Sequence, residues 1–113
     1  MDVELVEVRD FLARCAPFDE IPRELLDRIP ARLTQRYQRR GAVILEAGAE
    51  NHALYVIRSG AVEVCDPDGT LLEARDEGDC FGYSSLSRSG PSLYRIVAVA
   101  DSLLLEMPRE VFD

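Results

Sequence analysis

Lysine and tryptophan are absent from the 113 residues, histidine occurs once, and no uninterrupted apolar stretch approaches the roughly 20 residues of a membrane-spanning helix. The last two of these features each remove a class of function. A spanning helix is excluded, and so is a metal centre drawing on several imidazoles, because His52 has no second histidine beside it in the chain. The same lack removes a hydrolytic triad, since no serine or cysteine has an oriented base to activate it. No enzymatic activity is expected.

Cysteine is also sparse: Cys15, Cys65 and Cys80 are odd in number, far apart and without a Cys-x-x-Cys, which fits neither a disulfide framework nor a zinc cage. The acidic start, Met1-Asp2-Val3-Glu4, lacks the basic region and apolar run of a secretory signal. The expected setting is a reducing cytoplasm. All 13 basic residues are arginine and stand against 21 acidic ones, a formal net charge of −8. A surface for nucleic acid or anionic membrane would have to be built against that field, so neither is expected as a partner.

What is present suits one domain with a modest core. From Asp2, apolar residues recur at three- and four-residue steps through Phe11 and Leu12 towards Arg14, predicting an amphipathic helix. A second short helix is signalled by Asp19 or Glu20 ahead of Pro22, with Leu25, Leu26 and Ile29 on one stripe and a stop near Pro30. From Thr34 the period changes to two. Short strands are then expected at 42–46, 53–58, 61–65, 70–75, 80–81, 92–100 and 103–107, separated by turn signals at Ser59-Gly60 and Asp66-Pro67-Asp68-Gly69. With the first strand they make eight. This pattern predicts a mainly β fold, a jelly roll flanked by helices, with a helical lead-in at 1–33, the β roll at 34–107 and the start of a further helix at 108–113.

The stretch from Gly78 to Val97 is the place to look for a site. Gly78-Asp79-Cys80-Phe81-Gly82 brackets an aromatic with glycines, small polar residues follow through Gly90-Pro91, and an apolar alternation closes it. Glycines there free the backbone to turn N–H groups inward around an anion, although turn geometry alone also accounts for them. Ser84, Ser85 and Ser87 read equally as loop residues satisfying local backbone. The Asp76, Glu77 and Asp79 cluster reads as a solvated turn, without the longer ligand spacing of a calcium hand.

Gly41 to Gly48, Ala53 to Val64 and Gly78 to Gly82 together resemble, in order and spacing, the cyclic-nucleotide-binding domain family. The resemblance runs over roughly residues 11–113. Phe11-Leu12, Pro17-Phe18 and the run from Asp101 are similar to the N-terminal sensor module of bacterial proteins that continue into paired CBS domains and a nucleotidyltransferase. The resemblance implies a regulatory, ligand-sensing module whose terminal helices close over the ligand, with a chain ending early in that closing element. It also implies a cyclic phosphate held by a loop between the sixth and seventh strands.

The sequence departs from the family's pattern in two places. Phe81 and Gly82 match, but Tyr83 stands where the family has a ribose-binding glutamate, and Leu93 followed by Tyr94 stands where it has the phosphate-binding arginine and a small hydroxyl residue. Arg95 lies two residues on, on the same strand face as Leu93 and about 6 to 7 Å along. It either points into the cavity and restores the contact or pairs with a carboxylate on a neighbouring strand. The candidate ligand loop is therefore Phe81, Gly82, Tyr83, Ser84, Ser85, Leu93, Tyr94 and Arg95, and the ligand is a cyclic nucleotide, another small anion or metabolite, or none. With no ligand, the module would act through interaction, such as dimerisation of its apolar helix faces. A DNA-binding regulator of the catabolite-activator type would need a helix-turn-helix that this sequence does not contain.

Overall fold

The computed structural model describes residues 3–16, 18–82 and 91–112. Helix α1 spans Val3–Leu12 and α2 Arg23–Leu26, with single 3-10 turns at Phe18–Glu20 and Pro30–Arg32. Among the described residues eight strands follow: β1 Thr34–Gln38, β2 Val43–Leu45, β3 Ala53–Ser59, β4 Ala61–Cys65, β5 Leu71–Asp76, β6 Cys80–Phe81, β7 Arg95–Ala98 and β8 Ser102–Pro108. A last helical turn, α3, occupies Arg109–Phe112.

The strands form two four-stranded antiparallel sheets, one in the order β1-β8-β3-β6 and the other β2-β7-β4-β5. This is the jelly roll that the alternating pattern predicts. Its interior holds Ile44, Leu45, Tyr55, Ile57, Val62, Val64, Phe81, Ile96, Ala98 and Leu104. A second apolar cluster lies on the outer face of the first sheet, where Leu54, Val56, Leu105 and Met107 meet Val8, Phe11 and Leu12 of α1 together with Phe18 and Leu26. The lead-in thus packs on the sheet, fixed at one edge by the Arg58 guanidinium 4.3 Å above the Phe11 ring. Arg9 ties α1 to Asp27, Nη1 to Oδ1 at 3.1 Å.

Four expectations change in detail. The second helix is one turn and not a run to Pro30, because Pro22 and Pro30 lack donors and each begins its own short turn. Ser59-Gly60 is not a hairpin: β3 and β4 belong to different sheets, so Gly60, with φ of 101°, turns a corner between them. The buried Ser102 hydroxyl secures that corner, accepting from Ala61 N–H at 3.2 Å and donating to Ala100 C=O at 2.8 Å. Strand β7 begins at Arg95, later than Ser92, because the Ser92 side chain turns back on Tyr94. Finally, β8 runs through Pro108, so the closing helix begins one residue later.

Leu104 sits in the roll interior with no exposure, whereas Leu25 is 53 % exposed. Leu104→Ala is expected to cost about 2–5 kcal/mol in urea unfolding and Leu25→Ala less than about 0.5 kcal/mol. Equal costs would place the core elsewhere.

Candidate ligand cavity

A cavity of 310 Å³ opens between β5, β6 and β7. Its apolar walls come from Leu45, Val64, Leu72, Phe81 and Ile96, and its polar wall from Glu73, Arg75, Ser92 and Tyr94. Phe81 stacks on Tyr55, ring centroids 5.0 Å apart and planes 13° from parallel. After Phe81 the chain turns at Gly82, whose φ is 93°. A Cβ at Gly82 would come within 2.9 Å of both Ala53 O and Asn51 Nδ2, so glycine is required by conformation and by space.

Asn51 holds this turn in place. Its buried side chain donates from Nδ2 to Gly82 C=O at 3.0 Å and accepts from Ala53 N–H through Oδ1 at 3.2 Å. Across the mouth, Ser92 is equally fixed: its N–H donates to Ala49 C=O at 2.9 Å and its C=O accepts from Gly48 N–H at 2.8 Å. The Ser92 hydroxyl donates to Tyr94 C=O at 2.8 Å and accepts from Tyr94 N–H at 3.2 Å. These contacts set which residues of the approach to β7 face inward, namely Ser92, Tyr94 and Ile96.

The sequence profile of the cyclic nucleotide-binding domain matches residues 35–113. The chain belongs to that family. Among solved structures, the fold is similar to the regulatory domain of Toxoplasma gondii PKA crystallised with cAMP, with a TM-score of 0.89 and 18 % identity, covering 99 % of this chain and 44 % of that one. It is similar to the sensor domain of the transcriptional regulator DNR from Pseudomonas aeruginosa, with a TM-score of 0.87 and 21 % identity over 96 % of this chain and 76 % of that one. The regulatory subunit of a cAMP-independent protein kinase A from Trypanosoma brucei matches with a TM-score of 0.85 and 19 % identity, over 95 % of this chain and 41 % of that one. The chain spans less than half of either kinase regulatory chain.

In this cyclic nucleotide-binding domain, the candidate residues divide. Phe81, Gly82 and Tyr94 line the cavity. Tyr83, Ser84 and Ser85 lie outside the described residues. Leu93 is 50 % exposed and does not line the cavity, and Arg95 does not line it either. Leu93 precedes β7 and Arg95 opens it; both are exposed, whereas Ser92, Tyr94 and Ile96 between and beside them line the cavity. The Arg95 Nε sits 3.3 Å from Glu46 Oε1, just beyond β2, with both side chains about half exposed. Of the two outcomes open to Arg95, the structure has the carboxylate pair.

Several cavity residues carry no motif. Glu73 and Arg75 sit on β5, whose alternation was legible although its inward face was not, and Asn51 lies in a turn where only its preference for local backbone bonding could have marked it. Behind Phe81 a second cavity of 540 Å³ opens beside β1, β3 and β8 and shares Leu45 with the first. There the Tyr55 hydroxyl accepts from Arg36 Nη1 at 3.2 Å and donates to Glu106 Oε1 at 3.1 Å. Burial, and then the Glu106 charge, push the Tyr55 phenol above its usual value. His52 is exposed, its Nε2 3.4 Å from Glu50 Oε2.

Asn51→Ala is expected to lose about 1–3 kcal/mol, because it strips partners from two backbone groups beside the cavity. Arg95→Ala, on the exposed outer face, is expected to stay within about 0.5 kcal/mol in the same unfolding experiment. Tyr55, raised in the folded state, contributes stability that is complete below the ordinary phenol value near 10 and lost as pH climbs through the folded value. In an alkaline ultraviolet titration Tyr55→Phe should remove a phenol that ionises above the usual range; a trace unchanged there would refute the assignment.

Proposed function

We propose that this chain is the ligand-sensing regulatory module of a larger signal-transduction protein, with a site altered away from gripping a cyclic phosphate. The observation that carries this reading is the outward Arg95. The strand position that could supply a phosphate-binding guanidinium has its charge engaged outside the roll with Glu46, while Tyr94 occupies the inner face. A phosphate in the cavity would forgo that charge-assisted pair, a bond of about 1.5–3 kcal/mol. The Trypanosoma brucei relative is cAMP-independent by its own description, so this fold accommodates a regulatory subunit without cAMP control.

Signalling in this proposal works by ligand-biased packing of the terminal helices on the roll, which requires a ligand with different affinity for two helix positions. The outer apolar cluster that seats α1 supports it, since Cys80 of β6 borders the cavity and also packs against that cluster. The proposed continuation is into CBS and nucleotidyltransferase domains of a cytoplasmic protein, supported by the resemblance of the lead-in residues. Catalysis forms no part of it. A ligand-free interaction role is the second reading, favoured by Leu71 and Leu72, both about half exposed on the edge strand β5.

Calorimetric titration with cyclic AMP and cyclic GMP tests the reading. No micromolar binding is expected, and Arg95→Ala should leave the thermograms unchanged. Micromolar affinity for either nucleotide, lost in Arg95→Ala, would overturn it. Under the second reading, mass would rise with protein concentration and fall back in a Leu71→Ser, Leu72→Ser variant.

A further inference from the structure

Among the described residues that line the 310 Å³ cavity, the charged side chains are Glu73 and Arg75, both on the β5 wall. In the β4–β5 ladder Glu73 lies opposite Val64 and Arg75 opposite Val62, and both valines are buried in the roll interior. Glu73 and Arg75 therefore share the inward face of an edge strand, two residues apart. Arg75 Nη2 donates to Glu73 Oε2. That bond leaves Glu73 Oε1 and the other guanidinium N–H groups outside the pair, so the wall presents a charged acceptor beside a charged donor.

We infer that this cavity selects a neutral planar heterocycle whose edge carries an N–H donor next to a carbonyl acceptor, read by Glu73 and Arg75. The inference rests on the proposed function, in which no cyclic phosphate is gripped. Three physical reasons lead to that class. First, the pair sums to no net charge in a chain whose formal charge is −8, so an entering anion must compete with Glu73 for Arg75 and is repelled overall. Second, a plain hydrocarbon would desolvate the ion pair and return no hydrogen bond, which carries a penalty. A donor beside an acceptor answers both groups at once, with Arg75 donating to the carbonyl and Glu73 accepting from the N–H.

The third reason is shape. Leu45, Val64, Phe81 and Ile96 offer flat apolar contact to a ring, and the stack on Tyr55 holds Phe81 in orientation. A volume of 310 Å³ is at the small end of ligand cavities, which run from about 300 to 1,000 Å³. One or two fused rings fill it, with little left for a sugar and phosphate.

Fluorescence titration of the 113-residue chain with pterin, a neutral bicycle with such an edge, tests the inference against quinoline, which lacks the edge, and pterin-6-carboxylate, which adds an anion. Pterin is expected to bind saturably and at least about tenfold more tightly than either comparator. Glu73→Ala and Arg75→Ala, both at partly exposed positions, should each weaken pterin about tenfold or more while circular dichroism stays unchanged. Arg95→Ala, outside the cavity, should leave it unaltered. Absence of saturable pterin binding, equal affinity for quinoline, or indifference to both β5 substitutions would overturn the inference and leave the proposed function standing. Micromolar binding of cyclic GMP in a parallel titration would instead overturn the proposed function.

Discussion

Strand β3 carries five consecutive buried residues, Ala53 to Ile57, and so must be covered on both faces. The roll interior covers one face through Tyr55 and Ile57, and α1 with its following turns covers the other through Leu54 and Val56. Apolar burial of this kind stabilises by roughly 25 cal/mol per Å². Neither layer is optional, since a roll without its helical lead-in would expose Leu54, Val56, Leu105 and Met107 together. The sheet is therefore the common wall between the interior of the roll and the helical lead-in.

The cavity follows from this arrangement. Tyr55 projects inward from β3 and supports Phe81, while Asn51, two residues ahead of the strand, grips Gly82. The start of the candidate ligand loop is thus anchored to the strand with five consecutive buried residues. On the opposite side Ser92 is tied to Gly48 and Ala49 of the β2–β3 connection, so both margins of the cavity lead back to the residues that flank β3.

Much of the fold was legible in the sequence because the turns are written in Gly, Pro and Asp, and because period-two alternation marks strands with one buried face. The limits of β4 and β6 follow directly from that alternation. Sheet membership does not: Ser59-Gly60 has the chemistry of a tight hairpin and instead carries the chain from one sheet to the other, which only the Ser102 contact from forty residues away decides. The site was harder to read. Between Ser92 and Val97 both faces mix polar and apolar residues, so alternation cannot say which is inner; the Ser92 side chain decides it. Glu73 and Arg75 were hidden for the same reason, being charged residues on an inward face of an edge strand.

The stacked pair Tyr55–Phe81 divides the space between the sheets into two chambers that share Leu45. The Tyr55 hydroxyl is held by Arg36 and Glu106, and the stack on this fixed ring holds Phe81 in turn. The rear chamber carries the carboxylates of Glu46, Glu50, Glu106 and Glu110 together with Arg36 and His52. The front chamber thus balances one carboxylate with one guanidinium, whereas carboxylates outnumber the single guanidinium in the rear one.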